Sequence, residues 1–177
     1  MYVRREIREY TEADLDATMD AMHALWEYSD AEGQAKYGAN FHSATYFNVA
    51  HDFCAGQRDA DHIHQGLGFV PQHIKLTNMF EAAMQAVNPA VTMPYWDFTL
   101  DVAEGKTIYD SVMFTEKTFG SITRPASLDL GFTYASDSLE STAIQDGRWA
   151  FLKSEIYDDF VAPSAMGKVR IPANRAR

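Results

Sequence analysis

Six histidines stand in this chain, and three of them, His51, His64 and His73, fall at spacings that let their rings meet on one metal ion. Neutral imidazole is a borderline nitrogen donor, free at neutral pH, and is the commonest protein ligand for copper and zinc. A three-histidine site needs rings from at least two chain segments. His51 is expected from one helix, His73 from another and His64 from the loop between them. Spacing alone leaves two readings of His73, which is expected on an apolar helix face beside Leu76 and Phe80. It is either a hydrogen-bonded core residue, the more frequent case for a single inward histidine, or a ligand. His62 and His64 form a weaker His-x-His pattern, and His62 is the alternative ligand if the loop register shifts. His23 and His42 are assigned to surface or core. No histidine follows His73 as far as Arg177.

The elements that must position these rings are mostly helical. Thr11 is a good N-cap, Glu12 and Asp14 suit the first turn, and Leu15, Met19, Met22 and Trp26 form one apolar face. Gly33 and Gly38 are read as a loop. A second helix is expected over about 43–53, with Tyr46, Phe47, Ala50, His51 and Cys54 on one side and Gly56 ending it. Residues 57–69 are polar and Gly-rich, and read as a loop. Pro71 suits the first turn of a third helix, along which His73, Leu76, Thr77, Phe80, Met84 and Val87 recur at 3–4 residue steps. Asn88-Pro89 stops it. Residues 99–147 read as mostly loop with a short strand or two, and 148–161 as one more short helix. The fold class expected is mainly α, a partial helical bundle with a long irregular C-terminal region, in one domain spanning 1–177.

Composition fits a globular domain: 177 residues, 46% hydrophobic and 13% aromatic. The net charge of −10 counts against a phosphate-binding surface and so against nucleic acid as a partner. Cys54 is the single cysteine, so no internal disulfide forms. The charged N-terminus shows no signal-peptide pattern. No stretch approaches the roughly 18 apolar residues that span a bilayer. The expectation is a soluble chain without a membrane partner, cytoplasmic if the chain is complete.

Several spaced elements around the histidines carry a resemblance. His64-Gln-Gly-Leu-Gly-Phe-Val-Pro-Gln-His73 is followed by Leu76, Phe80-Glu81, Gln85, Val87-Asn-Pro89 and Pro94-Tyr-Trp-Asp97. This series resembles the first copper-binding region of the tyrosinase, catechol oxidase and molluscan haemocyanin family, the type 3 copper proteins. Residues 41–56 resemble the preceding family helix, and the likeness is strongest over residues 1–100. The resemblance implies His51, His64 and His73 as the ligands of one copper. It also implies half of a four-helix copper bundle. The intact family site holds two coppers, each on three histidines, and uses dioxygen to oxidise phenols or catechols. Glu81 and Asp97 are assigned a supporting role near the metal or a purely structural one, and Asp61 is read as either a support of the site or a surface residue.

This sequence departs from the family pattern in three places. Gln72-His73-Ile74 stands where the family has Trp-His-Arg. Cys54, three residues after His51, does not match the family's thioether cysteine. The second ligand set, a His-x3-His helix and a later histidine after Pro94-Tyr-Trp-Asp97, is absent. The chain is therefore expected to bind one copper, as a truncated tyrosinase-like oxidoreductase acting on a phenolic small molecule with dioxygen. The alternatives are a half-site completed by homodimerisation, or a non-catalytic mononuclear metal-binding or interaction domain.

Overall fold

The computed structural model describes residues 2–55, 61–122, 144 and 146–152. These form two units, one from residues 2–4 and 12–93, the other from residues 5–11 and the described part of 94–152.

The first unit is helical. It contains α1 (Glu12–Glu27), α2 (Asp30–Tyr37), α3 (Ala44–Ala55) and α4 (Phe69–Val87), and α1, α3 and α4 pack on one another. The periodicity of α1 holds: Met19 and Met22 are buried, together with Leu25. Phe80 of α4 joins the three helices. Its ring meets Trp26 of α1 edge-on at 6.1 Å and Phe47 of α3 at 5.1 Å. Met84, one turn further along α4, is fully buried. Asn88 turns extended at the end of α4 (φ −142°, ψ 106°), as expected before Pro89.

Gly33 corrects the loop expected there. It lies inside α2, whose start is fixed by a reciprocal capping box between Ser29 and Glu32. A β-carbon on Gly33 would sit 2.0 Å from a ring carbon of the fully buried Phe41. Glycine is required there by the aromatic ring lying on the helix, so its presence does not signal a turn. Gly38 does end the helix, at φ 98°.

In the second unit a single parallel bridge joins Glu6 and Tyr95, with the Ile7 N–H donating to the Tyr95 carbonyl at 2.9 Å and the Tyr95 N–H to the Arg5 carbonyl at 3.0 Å. Residues 99–103, expected to open a long loop, belong instead to the short helix α5 (Phe98–Ala103). Asp97 caps it by accepting the Thr99 N–H at 3.1 Å. On α5 the buried Asp101 accepts hydrogen bonds from Trp96 Nε1 (2.8 Å), Ser111 Oγ (2.7 Å) and the Arg8 guanidinium. Burial pushes the Asp101 carboxyl upward, but the bonds from Ser111, Trp96 and Arg8 outweigh it and hold its pKa below the usual range. No strand occurs among the described residues. Residues 148–152 make a turn rather than a helix start, with Phe151 in the left-handed region at φ 54°. The remainder of the helix expected over 148–161 lies outside the described residues, as does Gly56. No helix among the described residues is long and apolar enough to cross a membrane.

Candidate metal centre

α3 and α4 supply His51 and His73, and the turn between them supplies His64. Three contacts set the register of that turn. The His62 N–H donates to the Cys54 carbonyl at the end of α3 (3.1 Å), and Gln72 of α4 donates to the His62 carbonyl (2.8 Å). Ile63 is 2% exposed and plugs the turn into the core. With Ile63 inward and the His62 backbone held from both sides, the His62 ring is left exposed.

His51, His64 and His73 come together, each offering a nitrogen within 4.8 Å of the other two. Ring centroids are 4.9 Å apart for His51 and His64, 5.4 Å for His64 and His73, and 5.8 Å for His51 and His73. The second nitrogen of each ring faces an acceptor. His64 Nδ1 lies 2.7 Å from Asp61 Oδ2, His73 Nδ1 2.7 Å from the Phe69 carbonyl, and His51 Nδ1 3.3 Å from Asp52 Oδ1. Carbonyl and carboxylate oxygens only accept, so these contacts are hydrogen bonds in the tautomer that carries the hydrogen on Nδ1 and leaves the lone pair on Nε2. His51 Nε2 and His64 Nε2 are 3.1 Å apart. Two lone pairs at that distance repel unless a cation lies between them. A shared proton would serve His51 and His64 alone, whereas one metal ion serves all three rings. The 3.1 Å separation is close to that set by two metal–nitrogen bonds of about 2.1 Å. The donor set, three neutral imidazoles and no carboxylate, suits copper or zinc.

Asp61 belongs to the site through His64. Burial pushes its carboxyl upward, but hydrogen bonds from the backbone and ring of His64 and from the Ile63 N–H prevail and hold its pKa below the usual value. The sequence weighed Asp61 against a surface role, and the Asp-x-x-His spacing of a capped turn was the signal that could have decided it. His62 does not join the group.

Glu81 supports the chain elsewhere. It accepts two hydrogen bonds from Arg4, at 3.1 and 2.7 Å, and the Met93 N–H at 2.9 Å, so it ties the N-terminal segment and the segment after α4 to that helix. Asp97 is the N-cap of α5. Arg4, Asp52 and Asp101 carry no motif that marks their roles, because their partners depend on the fold or, for Asp52, on the neighbouring ring.

The family model described as the common central domain of tyrosinase matches residues 20–162. Grixazone synthase of Streptomyces griseus subsp. griseus is 44% identical over 46 residues, a stretch covering 26% of this chain. That stretch spans only 15% of the length of the synthase. With the family match running well past the motifs of the first hundred residues, the chain belongs to the tyrosinase family of copper-binding oxidases.

Proposed function

We propose that His51, His64 and His73 hold one copper ion through their Nε2 atoms, and that this chain provides one half of a dinuclear centre that oxidises phenols or catechols with dioxygen. The observation that carries the reading is that each Nδ1 faces an acceptor while the three rings bring a nitrogen apiece within 4.8 Å of one another. Copper bound in such a centre supplies the redox chemistry that couples dioxygen reduction to oxidation of the aromatic ring. The chain's own residues prepare the ligands. Phe69 packs its ring 4.6 Å from that of His73 and accepts its Nδ1–H through the backbone, which fixes the ring on both sides. The Asp61 carboxylate faces Nδ1 of His64 at 2.7 Å. The side chains of His51 and His64 remain 35% and 40% exposed, so the ligand set is open on one side to a small molecule or to a further protein surface.

A second three-histidine set has no source among residues 74–177, which contain no histidine. In this reading it comes from outside the sequence or from a second copy of the chain. The other reading, a mononuclear binding domain, is favoured by the fact that a single three-ligand group occurs among the described residues. Oxygen uptake with catechol by the copper-loaded chain, read beside its sedimentation mass, separates the two. Uptake that rises with dimer formation supports the dinuclear reading. A copper-loaded monomer that consumes no oxygen supports the mononuclear one.

A further inference from the structure

His51 and His73 are carried by helices, but His64 stands on a turn, with no helical backbone to hold its ring. Asp61 takes over that task. Its Oδ1 accepts the N–H groups of Ile63 (3.1 Å) and His64 (2.9 Å), which closes the turn. Its Oδ2 faces His64 Nδ1 at 2.7 Å. One carboxylate thus fixes both the backbone from which His64 projects and the nitrogen that bears its hydrogen. The corresponding partners of the other rings differ. His73 is held by a backbone carbonyl, and His51 by the longer 3.3 Å contact to the exposed Asp52.

We infer that Asp61 is a positioning residue that selects the Nδ1–H tautomer of His64 and so frees its Nε2 for the metal. A free imidazole in water prefers its hydrogen on Nε2, the wrong atom for this site. A carboxylate acceptor at Nδ1 reverses that preference and makes the ring a more basic ligand. The inference rests on the copper-ligand reading for its purpose, but the tautomer itself is measurable without metal.

The variant that isolates the effect is Asp61→Asn. Its amide oxygen still accepts the two backbone N–H groups, while its NH2 donates towards Nδ1 and favours the opposite tautomer. In the metal-free, 15N-labelled full chain, imidazole 15N shifts should report a hydrogen on His64 Nδ1 in the parent and on Nε2 in Asp61→Asn, with His51 and His73 unchanged. Copper affinity should fall about 10–100-fold in the variant. A parent His64 carrying its hydrogen on Nε2 overturns the inference, and that spectrum decides the matter even if the variant does not fold. A variant with lower affinity but an unaltered tautomer also overturns it, since the role would then be merely structural. If the parent shows the Nδ1–H tautomer yet binds no copper, the copper reading fails and the tautomer assignment stands.

Discussion

The Nε2 atoms of His51 and His64 lie 3.1 Å apart, and each ring has its other nitrogen turned to a carboxylate. With the hydrogen on Nδ1 of both rings this is an unfavourable pairing of lone pairs. Binding of a cation removes the repulsion and ties α3, α4 and the intervening turn together. Ligand binding to the native state alone stabilises it by about 2.7 kcal/mol at a hundredfold excess over Kd. The melting temperature should therefore rise on copper addition and return to its starting value with a chelator. Thermal denaturation followed by circular dichroism checks this.

Gly33→Ala should destabilise the first unit although alanine is the better helix former. The added carbon meets the Phe41 ring at 2.0 Å, and Phe41 is fully buried and stacked on Tyr37 at 5.5 Å. Overpacking of this kind costs about 1–3 kcal/mol. Urea unfolding should show a lower midpoint. The double variant Gly33→Ala, Phe41→Leu should lose less than the sum of the two single changes.

Acid should weaken the Arg4–Glu81 tie. The hydrogen bond from Arg4 is the largest influence on Glu81; burial opposes it, and the Met93 N–H and the Arg4 charge add to it, so the carboxyl pKa lies below its usual value. A carboxyl with a depressed native pKa contributes its full stabilisation above the unfolded value of about 4.3, and loses it as pH falls through the native pKa. Glu81→Gln should cost about 1 kcal/mol at pH 7, a modest figure because Arg4 is partly exposed and the pair is screened. Urea unfolding at several pH values should show the gap between parent and variant narrowing below pH 4.

Asp101→Ala should disrupt the second unit. It removes the shared acceptor of Trp96 Nε1, Ser111 Oγ and Arg8. Leaving a buried donor such as the Ser111 hydroxyl without its acceptor costs about 1–3 kcal/mol. The loss should appear in the fluorescence of Trp96, while the imidazole signals of His51, His64 and His73 stay in place.

What the sequence revealed and what it hid follow from the reach of the interactions. The apolar repeats of α1, α3 and α4 and the stop at Asn88-Pro89 are local, and the structure has them close to where they were expected. The grouping of His51, His64 and His73 was legible through the resemblance to the family motif, since spacing alone left His73 open between a core residue and a ligand. Gly33 was misread because its reason is a ring eight residues away. α5 was missed because six residues show too little periodicity, and its stability comes from the Asp97 cap and the anchoring of Asp101. The partners of Glu81 and Asp101, Arg4 and Arg8, stand 77 and 93 residues away in sequence, and no local pattern announces such pairs.

Copper titration of the full chain, with the electron-spin-resonance signal recorded at each step, tests the central claim most directly. The account predicts saturation at one copper per chain, and loss of that binding in His73→Ala while His23→Ala and His62→Ala bind as the parent does. In a monomer the Cu(II) signal should be an ordinary mononuclear one, and in a face-to-face pair of chains it should be silenced by coupling. Equal copper affinity in His73→Ala and His23→Ala would contradict the site.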